Sequence, residues 1–399
     1  MTNSELDPRD VVIVDAVRSP VGKRNGELAS MHSINLLGDV QKALFDRTGM
    51  DPAEVGQVLG GCVGQVGMQT MNVARNAWLA AGLPLEVGAS TVDNQCGSSQ
   101  QASTLAYSMI KAGVVDSAVA CGVEVMSRVP MGSTIPKDPD VGAPVNKRYW
   151  EHYEWTSQFE GAERIADQWG ITRRDADEFG KRSQDLGAAA WAEDRFATQI
   201  QPIEAPVLDE EGKETGETRT VTRDGGLRET TLEGLAQLKP VARENGVHTA
   251  GTSSQISDGA GAVLMMTAAK ADELGLTPLA RIVDACNVGS DPVLMLTGPI
   301  FATRKLLADN GLDIRDLGVV EINEAFASVV LAWEKELKPD MDVVNPNGGA
   351  IALGHPLGAT GSILITKAVH EMVRADKEWG LVTMCCGGGL GTGTLLQRV

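Results

Sequence analysis

An internal repeat constrains the fold of this chain more than any other feature of the sequence. The stretch "LFDRTGMDPAEVGQVLGG" (44–61) is matched by "LLADNGLDIRDLGVVEIN" (306–323), and the shared glycines and aspartate are all offset by 262 residues. Both copies predict a helix that ends at a glycine, an aspartate that opens a turn, and then a strand. The 399 residues are enough for two such copies. The sequence therefore predicts a doubled α/β unit.

The same offset relates two further segments, each a polar or glycine-rich turn followed by a helix and a strand. The first is "NQCGSSQQASTLAYSMIKAG" (94–113) and the second is "GGAIALGHPLGATGSILITKAVHEMV" (348–373). Apolar residues at helical spacing form one face of each predicted helix. These residues are Ala102, Leu105, Ala106, Met109 and Ile110 in the first helix, and Ile365, Ala368, Val369, Met372 and Val373 in the second. Cys96 therefore lies just before a helix N-terminus.

The position of Cys96 suggests a chemical role. Unpaired N–H groups and the positive end of a helix dipole favour a thiolate over a thiol, so we expect a lowered pKa and a nucleophilic sulfur. Most free cysteines are small buried hydrophobic residues, and that alternative stays open on position alone. The rest of the sequence must decide between the two.

Residues 126–256 follow neither copy of the repeat, and we interpret them as an insertion. The predicted domains are an N-terminal core half (1–125 with 257–277), an inserted loop domain (126–256) and a C-terminal core half (278–399). Within the insertion, the charged stretch "LDEEGKETGETRTVTRDGGLRETT" (208–231) predicts a solvated hairpin or loop.

Composition excludes several classes of partner. A formal net charge of −18 argues against a nucleic-acid surface or an anionic membrane. No apolar run reaches the ~18 residues of a membrane span, and no signal peptide opens the sequence, so we expect a cytoplasmic protein. The six cysteines are scattered, which favours reduced thiols. A zinc site at Cys385, Cys386 and His355 is disfavoured because adjacent cysteines rarely both reach one ion, and we expect no metal.

Four motifs stand at predicted strand ends, where ligand sites of α/β proteins form. They are "DNQCGSSQ" (93–100), "EINEAFA" (321–327), "GGAIALGHPLGATG" (348–361) and "MCCGGGLGTG" (384–393). In this order, over nearly the full length, they resemble the thiolase family, the acetyl-CoA C-acyltransferases. The resemblance implies a duplicated βαβαβαββ core in α-β-α-β-α layers, with an inserted loop domain that binds coenzyme A and the acyl chain. It also implies a homodimer or homotetramer.

The resemblance assigns roles to residues of the catalytic centre. Cys96 matches the acyl-accepting nucleophile and His355 the base that activates it. Cys385 matches a second, acid/base cysteine. Asn323 matches the residue that holds a water beside His355 in one oxyanion hole, and the backbone N–H groups of Cys96 and Gly387 resemble a second hole. Acyl transfer needs these groups because negative charge develops on a thioester enolate and on a tetrahedral intermediate.

Coenzyme A is implied as a co-substrate, with no permanently bound cofactor. Ser254 matches a serine that contacts the pantetheine arm. Arg228 falls in the segment that resembles the nucleotide-binding wall, and Arg223 or Lys239 could serve the 3′-phosphate equally well.

The expected activity is that of a 3-ketoacyl-CoA thiolase that releases acetyl-CoA or propionyl-CoA, and the wording of several motifs is similar to actinobacterial thiolases of steroid side-chain β-oxidation. Phe159 and Glu160 stand where short-chain members usually carry a His-Met pair, so we expect extra volume for a longer acyl group. A short-chain acetoacetyl-CoA thiolase working in the synthetic direction is the alternative. A ketoacyl synthase lacks the Asn323 and Cys385 motifs, and a non-catalytic thiolase-like carrier of acyl-CoA or lipid should have lost Cys96, His355 or Cys385.

Overall fold

The structure, a computed structural model, describes residues 6–209 and 211–399. A mixed sheet of ten strands and the helices on its faces form the core. The elements up to the insertion are β1 (Val11–Arg18), β2 (Gly22–Lys23), α1 (Ser33–Thr48), β3 (Gln57–Gly61), α2 (Val73–Ala80), β4 (Gly88–Val92), α3 (Ser98–Lys111) and β5 (Ser117–Val125).

The elements from the insertion onward follow in chain order. Between β5 and the return to the core lie α4 (Lys147–Trp150), α5 (Gln158–Trp169), α6 (Arg173–Ala192), β6 (Ile203–Leu208), β7 (Glu214–Val221) and α7 (Leu232–Ala236). The remaining elements are β8 (Ser257–Thr267), α8 (Ala268–Glu273), β9 (Ala280–Gly289), α9 (Gly298–Asp309), β10 (Val319–Ile322), α10 (Ala327–Leu337), α11 (Ala350–Leu353), α12 (Thr360–Arg374), β11 (Trp379–Cys386) and β12 (Leu390–Arg398).

The strands follow one continuous path, β10-β11-β12-β9-β1-β8-β5-β3-β4, and β2 pairs with β8. The two halves of the path meet where Val11–Ile13 of β1 pair antiparallel with β9. Helices α3 and α12 pack against each other and against strands of both halves, while α1 and α2 cover the first half and α9 covers the second. The order of layers is therefore α-β-α-β-α, as the family resemblance implies.

The repeat is visible in the structure. Helix α12 begins 262 residues after α3, and β10 and β11 begin 262 residues after β3 and β5. Gly49 and Gly311 both adopt the left-handed conformation, with φ of 71° and 66°, and this conformation favours glycine. In the second copy, the counterpart of β4 is reduced to a single parallel bridge between Val320 and Val344. Pro346, which has no N–H to donate to a ladder, follows two residues later.

The N-termini of α3 and α12 lie side by side at the centre of the molecule. A side chain at Gly361 would approach the Gln100 backbone nitrogen to 2.2 Å, so only glycine allows the two helices to come this close. The Ser362 N–H donates to the Ser99 hydroxyl across the contact at 2.9 Å. The loops that precede the two helices, which contain Cys96 and His355, are therefore brought together.

The insertion packs mainly on the second half of the core, where α5 and α6 contact α10 and α6 contacts α11. Strands β6 and β7 form an antiparallel hairpin with an exposed second strand, in agreement with the predicted solvated hairpin. The boundaries of the three domains stay a prediction. In the part of the chain that the structure describes, no helix has both the length and the apolar character needed to cross a membrane.

Candidate active site

Cys96 lies on a tight turn directly before α3. The preceding residue, Gln95, has a φ of 52°, a conformation that non-glycine residues rarely adopt. The turn is held by its own polar groups, because the Gln95 N–H donates to the Asp93 carboxylate at 2.8 Å and the Ser98 hydroxyl donates to the Gln95 carbonyl at 2.6 Å. Backbone strain of this kind collects at functional sites, where the surrounding contacts over-determine the conformation.

The predicted lowering of the Cys96 pKa is wrong for the free protein. Burial raises the pKa of the Cys96 thiol to about 11, although the backbone N–H groups of Gly387 and of Cys96 itself act to lower it. The charges of Asp93 and Glu124 raise it further. Desolvation therefore outweighs the helix N-terminus, and the resting sulfur is a neutral thiol. A base must remove its proton during the reaction.

His355 is held in a defined tautomer. The Thr360 hydroxyl donates to the Pro356 carbonyl at 2.9 Å, so its oxygen accepts the N–H of His355 Nδ1 at 2.6 Å. The proton therefore resides on Nδ1, and Nε2 carries the lone pair, toward which the Asn323 amide donates at 3.3 Å. Burial lowers the pKa of His355 to about 4, which keeps the imidazole neutral at physiological pH. A neutral imidazole with an unprotonated Nε2 is able to accept a proton from a thiol.

Asn323 contacts the reactive side of this imidazole. Its Nδ2 lies 3.3 Å from His355 Nε2, while its own backbone N–H donates to the Thr383 carbonyl. The Oδ1 atom of Asn323 is buried without a hydrogen-bond partner among the described residues. Because buried polar atoms are normally satisfied, this orphaned oxygen points to a water or substrate group in the working site.

Cys385 lies at the end of β11, behind Cys96. It is fully buried, and its pKa is raised well above the usual value, first by burial and then by the Cys96 sulfur. Cys386, also fully buried, lies against Gly97, where a side chain at residue 97 would meet its sulfur at 2.6 Å. Three sulfurs therefore gather around the nucleophile turn, and of these only Cys96 lines the cavity described next.

A cavity of about 80 Å³ places Cys96 and His355 in a common wall. Apolar side chains form most of the remainder of the wall. The other lining residues are Met126, Met131, Gln158, Phe159, Ser253, Ser254, Gln255, Ile256, Leu296, Ala325, Phe326 and Leu357. The extra volume predicted from Phe159 and Glu160 is not found, because Phe159 packs edge-on against Phe326 with ring centroids 5.5 Å apart. Pockets for drug-sized ligands are several times larger, so a long acyl chain requires these side chains to move.

The two residues predicted to contact coenzyme A fall in different surroundings. Ser254 lines the cavity, and its backbone N–H donates to the Ala325 carbonyl at 2.9 Å. Arg228 lies outside the wall, is exposed, and donates only weakly to the Ala250 carbonyl at 3.4 Å. No carboxylate of the described residues forms an ion pair with Arg228 or Lys239. Arg223 stacks on Trp191 instead, with 5.1 Å between the guanidinium and the ring centroid.

Sequence reasoning missed Thr360 and most of the cavity wall. Thr360 lies four residues after Pro356, the spacing at which a hydroxyl reaches a carbonyl one turn back, and this signal could have identified it. The methionines and Leu296 carry no such signal. The aromatic-rich stretch "YWEHYEWTSQFEGAE" (149–163) suggests the wall of an acyl pocket, but only Gln158 and Phe159 of this stretch line the cavity, while Trp150, Tyr153 and Trp155 are exposed. Val373, placed on the apolar face of α12, is 47% exposed.

The zinc hypothesis finds no support in the geometry. Among the residues that the structure describes, no group of three or more histidine, cysteine, aspartate or glutamate side chains is arranged to hold a metal ion.

Two family models match the chain in succession. The model described as thiolase, N-terminal domain matches residues 11–269, and the model described as thiolase, C-terminal domain matches residues 276–398. The steroid 3-ketoacyl-CoA thiolase FadA6 of Mycobacterium tuberculosis is 45% identical over 396 residues, which are 98% of this chain and 94% of that protein. A 3-ketoacyl-CoA thiolase of Idiomarina loihiensis is 43% identical over 398 residues, 98% of this chain and all of that protein.

The fold has a close counterpart among solved structures. The crystal structure of the acetyl-CoA acetyltransferase of Bacillus anthracis superposes with a TM-score of 0.88 at 37% identity, covering 98% of this chain and 99% of that chain. The duplicated core and the cysteine-histidine site define an acyltransferase of the doubled α/β class. With both family models matched across nearly its whole length, the chain belongs to the thiolase family.

Proposed function

We propose that the protein is a 3-ketoacyl-CoA thiolase, which moves the acyl group of a 3-ketoacyl-CoA to coenzyme A and releases acetyl-CoA or propionyl-CoA. The observation that carries the proposal is the common wall of Cys96 and His355, with His355 Nε2 kept unprotonated by the bond from Nδ1 to Thr360. The names of the relatives at 43–45% identity support the same activity.

In the first half-reaction, His355 Nε2 takes the proton of the Cys96 thiol as the sulfur attacks the C3 carbonyl of the substrate. The N–H groups of Cys96 and Gly387, which already act on the Cys96 sulfur, are placed to stabilise the tetrahedral oxyanion. The C2–C3 bond then breaks, and its electron pair forms the enolate of the departing thioester. The Cys385 thiol gives its proton to C2, leaving a thioester on Cys96.

In the second half-reaction, the Cys385 thiolate takes the proton of coenzyme A. The coenzyme sulfur attacks the thioester on Cys96, and the Cys96 sulfur leaves and recovers its proton from His355. A water beside His355, which gives one hydrogen bond to Asn323 Oδ1, would give the other to the enolate oxygen, and the unpaired Asn323 Oδ1 supports this role. Every proton that leaves a residue is returned within one turnover.

We propose further that coenzyme A runs along the insertion, with its pantetheine arm at Ser254 and its phosphates near Arg228. The unpaired, exposed guanidinium of Arg228 supports the second contact, because the protein as a whole is strongly acidic and a phosphate needs a local cation. Lys239 is an equal candidate for the 3′-phosphate. Arg223 is a weaker one because its guanidinium is engaged with Trp191.

The acyl group is the open part of the proposal. The similarity to a relative named a steroid 3-ketoacyl-CoA thiolase favours a bulky acyl chain. Such a chain would enter the cavity by displacing the flexible side chains of Met126 and Met131. The small cavity and the acetyl-CoA acetyltransferase counterpart favour a short-chain thiolase acting in the synthetic direction. Both reactions use the same catalytic groups.

One series of assays decides between them. Thiolysis is measured as kcat/KM for 3-ketoacyl-CoA esters from C4 to steroid-sized, with Cys96→Ala as the inactive control. We expect kcat/KM to rise with acyl length, because each buried methylene adds about 0.8 kcal/mol. A preference for acetoacetyl-CoA over every longer ester selects the short-chain reading, and absence of thiolysis for all esters refutes both.

We also propose that the protein forms a homodimer through the β4 edge, or a homotetramer that contains this dimer. Strand β4 ends the ten-stranded sheet, so among the described residues it has a neighbouring strand, β3, on one side alone. Met71 and Leu85, in the same part of the chain, are 82% and 69% exposed. Light scattering coupled to size-exclusion chromatography measures the assembly, and a monomer at micromolar concentration rules it out. Action in the cytoplasm stays a prediction.

A further inference from the structure

Glu321 and Lys367 form an ion pair that is almost fully removed from water. The Lys367 Nζ donates to Glu321 Oε2 at 2.7 Å and to the Gly348 carbonyl at 2.7 Å. The side chains are 0% and 2% exposed, respectively. Among the described residues, only the Arg18–Asp224 pair is as deeply buried. A buried ion pair is expensive to desolvate and is weak evidence of a stabilising role, so its position in the fold decides what it does.

The pair lies directly beside the catalytic side chains. Glu321 lies on β10, and Asn323 follows two residues later, directly after the end of the strand. Lys367 follows Thr360 by seven residues on α12, and residues seven apart on a helix lie on one face, two turns apart. The strand and the helix are therefore joined by two parallel links, Asn323 to His355 and Thr360, and Glu321 to Lys367.

The second link also reaches the loop that leads to His355. Gly348, whose carbonyl accepts from Lys367, lies in the turn before α11, seven residues ahead of His355. Its left-handed φ of 76° is a conformation that favours glycine, and its N–H donates to the Asn345 carbonyl. One ammonium group therefore contacts the strand of Asn323 and the loop of His355, and it belongs to the helix of Thr360.

The pair is not arranged for maximal stability. Glu321 Oε1 is buried with no hydrogen-bond partner among the described residues, and burial raises the pKa of Glu321 to about 7 in spite of the adjacent ammonium. The nearby carboxylates of Glu371 and Glu324 raise it further, although each has partners of its own, Arg374 and Asn347 for the first and Ser183 and Asn345 for the second. An apolar pair of the same volume would fill the space without an orphaned oxygen. An apolar pair would, however, lack the directional contact that fixes the register of α12 against β10.

We propose that Glu321 and Lys367 are positioning residues: they fix the register of α12 and of the Gly348 loop against β10, and thereby hold Asn323 Nδ2 within 3.3 Å of His355 Nε2. They touch no reacting atom. Their effect on turnover rests on the proposed function, whereas their effect on the His355 tautomer does not. Without the ion pair, α12 and the Gly348 loop are held less firmly against β10, and Asn323 Nδ2 no longer stays close to His355 Nε2. The imidazole is then able to exchange its proton between Nδ1 and Nε2.

The test uses the double variant Glu321→Gln/Lys367→Met, which removes both charges and leaves no unpaired ion. Two quantities are measured on the full chain: kcat with KM for thiolysis, and the imidazole nitrogen chemical shifts of His355 from 15N-labelled histidine, assigned with His355→Asn. We expect a Tm close to that of the wild type, kcat lowered at least 10-fold with KM within 2-fold, and nitrogen shifts that move from a single Nδ1-protonated form toward a mixture.

If the pair has only a structural role, the folded double variant should show the kcat and the His355 nitrogen shifts of the wild type. That result overturns the proposal. The control is Arg281→Met/Asp10→Asn, which removes a partly buried ion pair between the start of β9 and the residue before β1 and should leave the His355 shifts unchanged. If the double variant does not fold, Lys367→Met alone removes the contacts with Glu321 and with the Gly348 carbonyl, and wild-type shifts in that variant equally overturn the proposal. If wild-type protein shows no thiolysis, the proposed function fails while the nitrogen shifts still decide the inference.

Discussion

Thr360 holds the Nδ1–H of His355 at 2.6 Å, and this bond decides which nitrogen of the imidazole faces Asn323. The threonine hydroxyl is committed to the Pro356 carbonyl, so its oxygen is able to act only as acceptor toward the ring. A hydrogen bond of this kind sets the tautomer of the base, although the threonine itself does not contact the substrate.

Replacing Thr360 by Val should lower kcat for thiolysis by about 10- to 100-fold. The buried Nδ1–H would lose its acceptor, at a cost of roughly 1–3 kcal/mol, and the proton would move to Nε2, where it opposes the Asn323 amide. Steady-state kinetics with a 3-ketoacyl-CoA measures the effect. Thr360→Ser keeps the hydroxyl and should stay within about 3-fold of wild type, and equal losses in both variants would contradict the tautomer argument.

Replacing Asn323 by Asp should abolish most α-proton exchange on acetyl-CoA, with a loss of about 10²- to 10³-fold typical of a removed oxyanion donor. The change is nearly isosteric, but it exchanges the Nδ2 donor for a negative oxygen where enolate charge develops. Exchange in heavy water is followed by proton NMR, and acylation of Cys96 by mass spectrometry. Exchange at the wild-type rate would remove Asn323 from the enolate site.

Alkylation of Cys96 by iodoacetamide should accelerate about 10-fold per pH unit between pH 7 and pH 10. With the pKa of the thiol raised to about 11 by burial and the pKa of His355 lowered to about 4, the thiolate fraction grows with hydroxide over this whole interval. Labelled peptides are quantified by mass spectrometry. Cys121 is fully buried away from the cavity and serves as the internal control that stays unlabelled. A plateau already reached at pH 7 would mean a preformed thiolate.

The stability of the protein should fall on acidification, in part through His355. Its folded pKa is depressed, so the unfolded chain binds the proton more readily, and stability present above about pH 6.5 is lost as the pH falls toward 4. The contribution amounts to roughly 2 kcal/mol between pH 7.5 and pH 5. Urea unfolding of wild type and His355→Asn at both pH values isolates it, since the variant should lose less. Identical losses would show that the imidazole is not a buried neutral base.

Replacing Phe159 by Leu should shift the acyl preference toward longer esters, with kcat/KM for a long 3-ketoacyl-CoA raised relative to that for acetoacetyl-CoA by about 10-fold, the equivalent of one or two buried methylenes. Phe159 packs on Phe326 at the cavity wall. Trp155→Leu alters an exposed aromatic of the same stretch and should leave the ratio unchanged. A ratio unaffected by Phe159→Leu would place acyl selection elsewhere.

The sequence predicts those parts of the molecule that depend on local periodicity and on repetition. The offset between Gly49 and Gly311 carries over to the helices that begin at Ser98 and Thr360, because each glycine and each apolar face specifies its own element. The order of the five layers is what the family resemblance implies.

What the sequence does not predict depends on burial. The helix N-terminus beside Cys96 suggests a low pKa, but the cost of desolvation exceeds the effect of the N–H groups, and only the packed structure gives the balance. The volume next to Phe159 likewise depends on how Phe326 and the two methionines fill it. Long-range pairs such as Glu321 with Lys367 leave no pattern in a single sequence.

Because the two central helices meet closely at Gly361, the catalytic groups lie at the contact between the two copies of the repeat. One copy of the repeat supplies Cys96, the other supplies Asn323, His355 and Cys385, and neither holds a complete set of groups. Enzymatic activity therefore reports whether the two halves are in contact. During unfolding, activity should be lost when the two halves first separate, before the strands of either half lose their own hydrogen bonds. Fragments that correspond to the two halves should regain turnover only when they reassociate.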